Sequence, residues 1–322
     1  MSDQSQPENP IGSASDPVDA APKPPAAVKR ADILIWVLIS FVVPSVLMLL
    51  LHHRLAPDKS ILDLRGELPL KGILAFFVAL GTWNVARMER RPLAAYGMPP
   101  REAFGARFWE GCVWGFAMLS LVLLVIRLTG HFEIDSVALS GPDIFKYAIG
   151  WGLAFYFVAI SEEFIFRGYL LFIYTRGMSF WVSALILSLL FGAAHLGNPN
   201  ENVFGILQVV VVGMIFCLTI RRTGAIWLAV GFHTTWDWAQ TYFYGTADSG
   251  LLGVGRFLNS SSVGPSWLTG GGAGPEGSVV AFVVLLLFAL FVHLRFPNAQ
   301  YLSAKEQKEK EESIRRVAPL EI

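Results

Sequence analysis

The segment AISEEFIFRGYLLF, residues 159–172, places three ionisable side chains inside a run that is otherwise apolar enough for a lipid bilayer. An ionised side chain at the centre of a membrane helix costs about 2.5 to 3.5 kcal/mol. Glu163 and Arg167 lie four residues apart with the acid on the N-terminal side, an order that favours an ion pair on one helix face. Glu162 has no such partner on its own helix. It must therefore face a polar cavity, carry a proton or meet a group on another helix.

The composition of the whole chain agrees with a membrane location. Of the 322 residues, 54% are hydrophobic and only 16% are charged, whereas about a quarter of the residues of a typical soluble domain are charged. The net charge of zero gives no reason to expect a nucleic-acid partner. Cys112 and Cys217 lie in separate apolar runs, where we expect small buried side chains and neither a disulfide framework nor a zinc ribbon.

Apolar runs recur along the chain at a length that suits membrane helices, which need about 20 residues to cross the hydrocarbon core. We therefore predict an all-α fold, a polytopic membrane bundle of about eight transmembrane helices. The predicted spans are residues 33–51, 70–86, 109–128, 147–175, 181–197, 203–220, 225–243 and 278–296. We expect one transmembrane domain at 29–300, a disordered cytoplasmic tail at 1–28 and a charged cytoplasmic tail at 301–322.

The distribution of Lys and Arg predicts the orientation. Most of them precede the first span or follow the even-numbered spans, which indicates a multi-pass protein of the plasma (inner) membrane with both termini in the cytoplasm. The connection at 52–69 is the exception, since it also holds basic residues. The connection at 245–277 contains ten glycines. It can lie over an opening or be slack, and we expect it to be slack.

Two later runs carry polar groups that can meet Glu162. His195 lies in the fifth run, and His233 and Asp237 lie four residues apart on one face of the seventh. At a rise of about 1.5 Å per residue, the three helices can bring these groups to a common depth. Each group alone can simply form a hydrogen bond to a neighbouring helix, and helix contacts or interfacial placement explain the isolated Gln208. The four together form a set of acid, base and ligand types, which favours a functional site.

Three motifs occur in order along these runs: EEFIFR at 162–167, FGAAH at 191–195 and HTTWD at 233–237. They match the signatures Glu-Glu-x-x-x-Arg, Phe-x-x-x-His and His-x-x-x-Asn/Asp. The chain thus resembles the CAAX-protease and bacteriocin-processing (CPBP, or Abi) family of intramembrane endopeptidases, which includes the eukaryotic Ras-converting enzyme. The resemblance covers about residues 145–243, the expected catalytic core.

The resemblance implies an intramembrane endopeptidase that hydrolyses a peptide bond in a hydrophobic or lipidated, CaaX-type protein tail. The implied partners are a protein or peptide substrate with a hydrophobic or prenylated C terminus and the lipid bilayer, without nucleic acid. Glu163 and Arg167 would support the site by shaping the helix and its cavity.

The resemblance also implies catalytic roles for the four remaining groups. Glu162 and His195 would activate a water molecule, and His233 and Asp237 would hold the developing oxyanion or fix the site. The best-studied relatives have Asn where this chain has Asp237. An ionised Asp cannot donate to an oxyanion, so Asp237 would need a proton or would orient His233.

Alternatives remain open at this point. Histidines and carboxylates are plausible zinc ligands with an open position for water, although we favour a metal-free glutamate mechanism and assign no certain cofactor. The candidate zinc ligands are His195, His233, Asp237 and Glu162. A proton-coupled transporter would use the same groups as a proton relay, and a membrane scaffold or bacteriocin-immunity protein would not use them for catalysis at all.

Overall fold

The computed structural model describes residues 61–302 together with positions 43, 46, 50 and 306. The predicted tail at 1–28 lies outside the described residues, as does nearly all of the predicted first span and of the C-terminal tail. The described part is mostly helical, which confirms the prediction of an all-α membrane bundle.

Seven helices correspond to the second to eighth predicted spans. In the described residues, π-helical turns occur at Phe164–Tyr169, inside the long helix Pro142–Tyr174, and at Ala239–Tyr244. The helices are α1 (Leu64–Glu89), α2 (Ala106–Leu128), α3 (Pro142–Tyr174), α4 (Phe180–Ala194), α5 (Val203–Thr223), α6 (Trp227–Trp238) and α7 (Val279–Arg295).

The surface of the bundle is suited to lipid. In the described residues, α1, α2, α3 and α5 are long and apolar enough to cross a membrane, and α4 and α7 are shorter apolar helices. Large apolar side chains are exposed along these helices, among them Phe76, Val113, Phe145, Leu189 and Leu286. A soluble protein rarely exposes so much contiguous apolar surface. The chain is an integral membrane protein.

The two ends of the bundle differ in charge. At one end, the arginine-rich end, the chain after α1 meets the turn before α6 through the Ile226 N–H and the Gly97 carbonyl, 2.9 Å apart. The segment after α7 meets the end of α5 there, because the Gln300 N–H donates to the Arg221 carbonyl at 2.8 Å. The arginines at this end are Arg87, Arg90, Arg91, Arg101, Arg107, Arg176, Arg221, Arg222 and Arg295.

The opposite, arginine-poor end is closed by short strands. Strand β1 (Ile61–Leu62) pairs in parallel with β3 (Leu252–Gly253), and β2 (Phe132–Val137) pairs antiparallel with β4 (Leu258–Ser262). Both pairings fasten the glycine-rich connection to the rest of the bundle. The Asn200 side chain adds a further tie, since its amide donates to the Gly250 carbonyl at 3.1 Å.

The expectation that residues 245–277 are slack is therefore wrong. The connection is folded, with two strands and short helical turns. Several of its glycines have positive φ, such as Gly250 at 78° and Gly274 at 100°, where an L side chain is strained. A Cβ at either position would also overlap a backbone carbonyl. These glycines permit a tight turn and close packing, so their number is not evidence of slack.

Helices α2 and α6 approach each other closely through glycines. A Cβ added at Gly111 would overlap the Leu228 carbonyl, and one at Gly115 would overlap the Phe232 carbonyl. Gly111 and Gly115 form a GxxxG pattern, which allows two membrane helices to pack backbone against backbone. The Thr235 hydroxyl also donates across this contact to the Cys112 carbonyl at 2.8 Å. This packing holds the helix that carries His233 and Asp237.

Candidate active site

The two adjacent glutamates of α3 project to different surroundings. Glu163 is fully buried, whereas the Glu162 side chain is 28% exposed and faces the main cavity of the bundle. The π-helical turn of α3 starts directly after them, at Phe164. Turns of this kind are frequent at functional sites because they redirect side chains that a regular helix would align.

The predicted ion pair of α3 is present. The Arg167 Nη1 lies 3.2 Å from Glu163 Oε1, and both side chains are completely buried. The guanidinium also packs over the ring of Phe191, with its carbon 4.0 Å from the ring centroid. Room for it comes from Gly213 on α5, where an added Cβ would lie 2.8 Å from Arg167 Nη2. The pair is thus held in the core, next to the site and outside its cavity.

His233 on α6 lies among three carboxylates. Its Nδ1 is 3.1 Å from Glu163 Oε1, and its Nε2 is 3.4 Å from Asp237 Oδ2 and 3.6 Å from Glu162 Oε2. Asp237 is four residues further along the same helix, as the spacing predicts. A carboxylate accepts and cannot donate, so the hydrogen on Nδ1 points to Glu163. The direct contact between Glu163 and His233 is not evident from the sequence, because it joins two helices.

His195 follows the last residue of α4, where the helix ends. Its Nδ1 lies 2.9 Å from the Phe191 carbonyl oxygen, which can only accept a hydrogen bond. Nδ1 therefore carries the hydrogen, and Nε2 is left as an acceptor. In the described part of the chain, no hydrogen bond or ion pair joins His195 to Glu162, His233 or Asp237. The ring of Phe191 packs against both histidines, with centroid distances of 4.8 Å to His195 and 6.5 Å to His233.

A single cavity of about 440 Å³ joins the four predicted catalytic residues. Glu162, His195, His233 and Asp237 all line it, and Glu163 and Arg167 do not. Its other walls are mainly aromatic and aliphatic side chains. The cavity extends to the arginine-poor end, where the residues that line it are Leu62, Glu67, Lys71, Asn198, Asp248, Ser249, Leu251 and Glu276.

The glycine-rich connection contributes an acidic pair that sequence reasoning missed. Asp248 and Glu276 are both buried, and the Gln240 amide donates to Asp248 Oδ1 at 3.2 Å and to Glu276 Oε2 at 3.3 Å. Burial raises the pKa of Glu276 to about 7, helped by the negative charges of Glu201 and Asp237. Burial also raises the pKa of Asp248 well above its usual range, and the charges of Asp237 and Glu276 add to the effect.

The candidate zinc ligands do not form a metal site. Within residues 61–302 and the four further described positions, no group of three His, Cys, Asp or Glu side chains is arranged to hold a metal ion. The His195 Nδ1 is directed to a backbone carbonyl, and the Phe191 ring packs against both His195 and His233. We therefore assign no chemical step to a metal.

Fold and site together define a multi-span membrane protein with a glutamate and histidine centre inside its helical bundle. Residues 144–239 match the family model described as type II CAAX prenyl endopeptidase Rce1-like. The match covers less than a third of the chain and contains all three motifs. None of the curated proteins matches the chain. This match supports membership of the CAAX-protease and bacteriocin-processing family, a family of intramembrane peptidases.

Proposed function

We propose that this protein hydrolyses a peptide bond of a hydrophobic or lipidated protein segment inside the cavity, by a mechanism in which Glu162 acts on water. The observation that carries the proposal is the convergence of Glu162, His195, His233 and Asp237, from two helices and one helix end, on one cavity within an apolar bundle. Charged groups at such depth are costly and usually functional.

Glu162 and His195 are suited to bind and deprotonate the attacking water. The Glu162 side chain is 28% exposed and lines the cavity, so it can accept a hydrogen bond from water there. His195 presents its Nε2 as a second acceptor, because Nδ1 is directed to the Phe191 carbonyl. The water oxygen attacks the peptide carbonyl carbon while its proton passes to Glu162. The carbon–nitrogen bond then breaks, and the same proton passes to the leaving amine.

His233 is suited to stabilise the oxyanion. Glu163 holds the ring through Nδ1, so that Nε2 faces the cavity, and an imidazolium there donates an N–H to the developing charge. Asp237 Oδ2 lies 3.4 Å from Nε2 and orients the ring by accepting that N–H until the oxyanion takes the hydrogen bond. That role suits a carboxylate at the position where well-studied relatives have Asn.

The side chains that line the cavity indicate which kind of substrate it can hold. Aromatic and aliphatic side chains such as Trp151, Phe155 and Val212 suit a hydrophobic segment, and a prenylated CaaX tail is one candidate of this kind. We also place the arginine-rich end of the bundle on the cytoplasmic side of the plasma membrane. Because the cavity extends to the other end, a segment embedded in the bilayer would reach the site more readily than a purely cytoplasmic tail.

The test is peptidase activity of the purified protein in detergent on fluorogenic peptides. The panel contains a farnesylated CaaX peptide and plain hydrophobic peptides, each with wild type, Glu162→Gln and wild type plus phenanthroline. We expect cleavage that the variant loses and the chelator leaves intact. Loss with phenanthroline would overturn the metal-free mechanism. Cleavage that survives in Glu162→Gln, or no cleavage by wild type, would overturn the proposed function and favour a scaffold or transporter.

A further inference from the structure

Gln208 on α5 is a buried amide that the proposed chemistry does not use. Its side chain lies in the cavity wall and is only 2% exposed. It makes no hydrogen bond to any other residue in the described part of the chain, which contradicts the expectation that it is a contact between helices. An amide removed from water without a partner costs about 1–3 kcal/mol. It is also the only Asn, Gln, Ser, Thr or charged residue of α5 before Thr219.

The position of Gln208 relative to the catalytic groups follows from the helix. Gln208, Val212 and Phe216 are spaced by four residues, lie on one face of α5 and all line the cavity. The Phe216 ring is 5.7 Å from the His233 ring. Two helical turns separate Gln208 from Phe216, which is about 12 Å along the axis. An extended peptide covers that distance with three to four residues.

We propose that Gln208 binds the backbone of the substrate peptide three to four residues from the scissile bond. A primary amide offers both a donor and an acceptor, so it can pair with the C=O and N–H of a peptide group. An extended peptide that enters from the arginine-poor end passes Gln208 before it reaches His233. The amide would thus fix the register of the peptide independently of side-chain identity. This inference rests on the proposed peptidase function.

Binding of peptides of two lengths tests this role without turnover. The protein is full-length Glu162→Gln in detergent, with and without Gln208→Met, which preserves the length of the side chain. The probes are dansylated hydrophobic peptides of about ten residues and of about two residues, the shorter of which covers only about 7 Å and does not span the distance. We expect Gln208→Met to weaken binding of the long peptide about tenfold, as for one or two lost hydrogen bonds, and of the short peptide less than twofold.

The controls separate this role from a structural one. Leu207→Met changes the neighbouring side chain, which is 50% exposed on the outside of α5, and should bind both peptides like the parent. Because Met is buried more favourably than an unpaired amide, Gln208→Met should unfold at the same or a higher temperature. If Gln208→Met lowers the unfolding temperature, Gln208→Asn, which retains a shorter amide, is tested in the same way.

Three results would overturn the inference. Gln208→Met weakens binding of both peptides equally, it weakens binding of neither peptide, or the long and the short peptide bind the Glu162→Gln parent with the same affinity. Cleavage by wild-type protein is measured separately on the same long peptide. Length-dependent binding without cleavage would refute the proposed reaction and leave the amide site standing. Cleavage with unchanged binding in Gln208→Met would refute the amide site alone.

Discussion

Glu163 accepts hydrogen bonds from two helices at the same oxygen, from His233 at 3.1 Å and from Arg167 at 3.2 Å. The buried carboxylate therefore determines which nitrogen of His233 faces the cavity. The neighbouring Glu162 lies in the cavity wall itself. We propose different tasks for these two adjacent residues of the same type: Glu163 orients His233, and Glu162 acts on the reacting water.

Replacement of Glu163 by Gln should lower kcat with little change in KM. The amide retains the size of the side chain but removes the charge that holds Nδ1–H, and a hydrogen bond to a charged group contributes about 1.5–3 kcal/mol. We expect a loss of about 10-fold to 150-fold, measured as steady-state kinetics on the best peptide of the panel. A change in KM alone would contradict the orienting role of Glu163.

Replacement of Arg167 by Met should destabilise the protein strongly. It leaves the Glu163 charge buried without its cation, and loss of one partner of a buried pair costs about 3–5 kcal/mol. The double variant Glu163→Gln/Arg167→Met removes both charges, and its thermal unfolding in detergent should occur closer to the wild-type temperature. Equal unfolding temperatures for the single and double variants would show that the pair does not act as a unit.

Replacement of Gly115 by Ala should weaken the packing of α2 on α6. The added Cβ would overlap the Phe232 carbonyl and approach the Thr235 hydroxyl to 2.5 Å, and overpacking of this kind costs about 1–3 kcal/mol. Gly66→Ala is the matched control, because a Cβ there meets nothing within 4 Å. We expect a lower unfolding temperature and lower activity only for Gly115→Ala. Equal behaviour of both variants would refute the close-packing account.

Glu276 should make stability depend on pH. Its folded pKa of about 7 lies above the ordinary value of 4.5, so the unfolded chain ionises first as pH rises. The carboxyl therefore destabilises the fold progressively between about pH 4.5 and 7, by up to about 3 kcal/mol above that range. Glu276→Gln should unfold at a higher temperature than wild type at pH 8 and at a similar temperature at pH 4.5. A difference that is independent of pH would contradict this assignment.

Much of the architecture follows from hydropathy, because a helix that crosses lipid must satisfy its backbone internally and cover about 30 Å with apolar residues. The second to eighth predicted spans are found as helices, although α4 ends at Ala194 and leaves His195 just beyond it. The ion pair of Glu163 and Arg167 was predictable because it lies within one helix. Contacts between helices, such as Glu163 with His233, depend on rotations and tilts that a single sequence does not reveal.

The connection at 245–277 was misjudged because glycine permits two opposite outcomes. It allows a free chain many conformations, and it also allows the positive φ and close backbone contacts that a tightly folded loop requires. Gln208 was misjudged because a lone polar residue in a membrane helix usually finds a partner on a neighbouring helix. Both cases depend on tertiary packing. The GxxxG pattern at Gly111 and Gly115 was the one overlooked signal that the sequence carries directly.

The most direct measurement of the central claim is cleavage of one hydrophobic peptide by wild type, Glu162→Gln and Glu163→Gln in parallel, with products identified by mass and folding verified by thermal unfolding. The account predicts a single hydrolysed bond for wild type, a reduced rate for Glu163→Gln and no cleavage above background for a folded Glu162→Gln. Cleavage by Glu162→Gln at a rate close to wild type would contradict it.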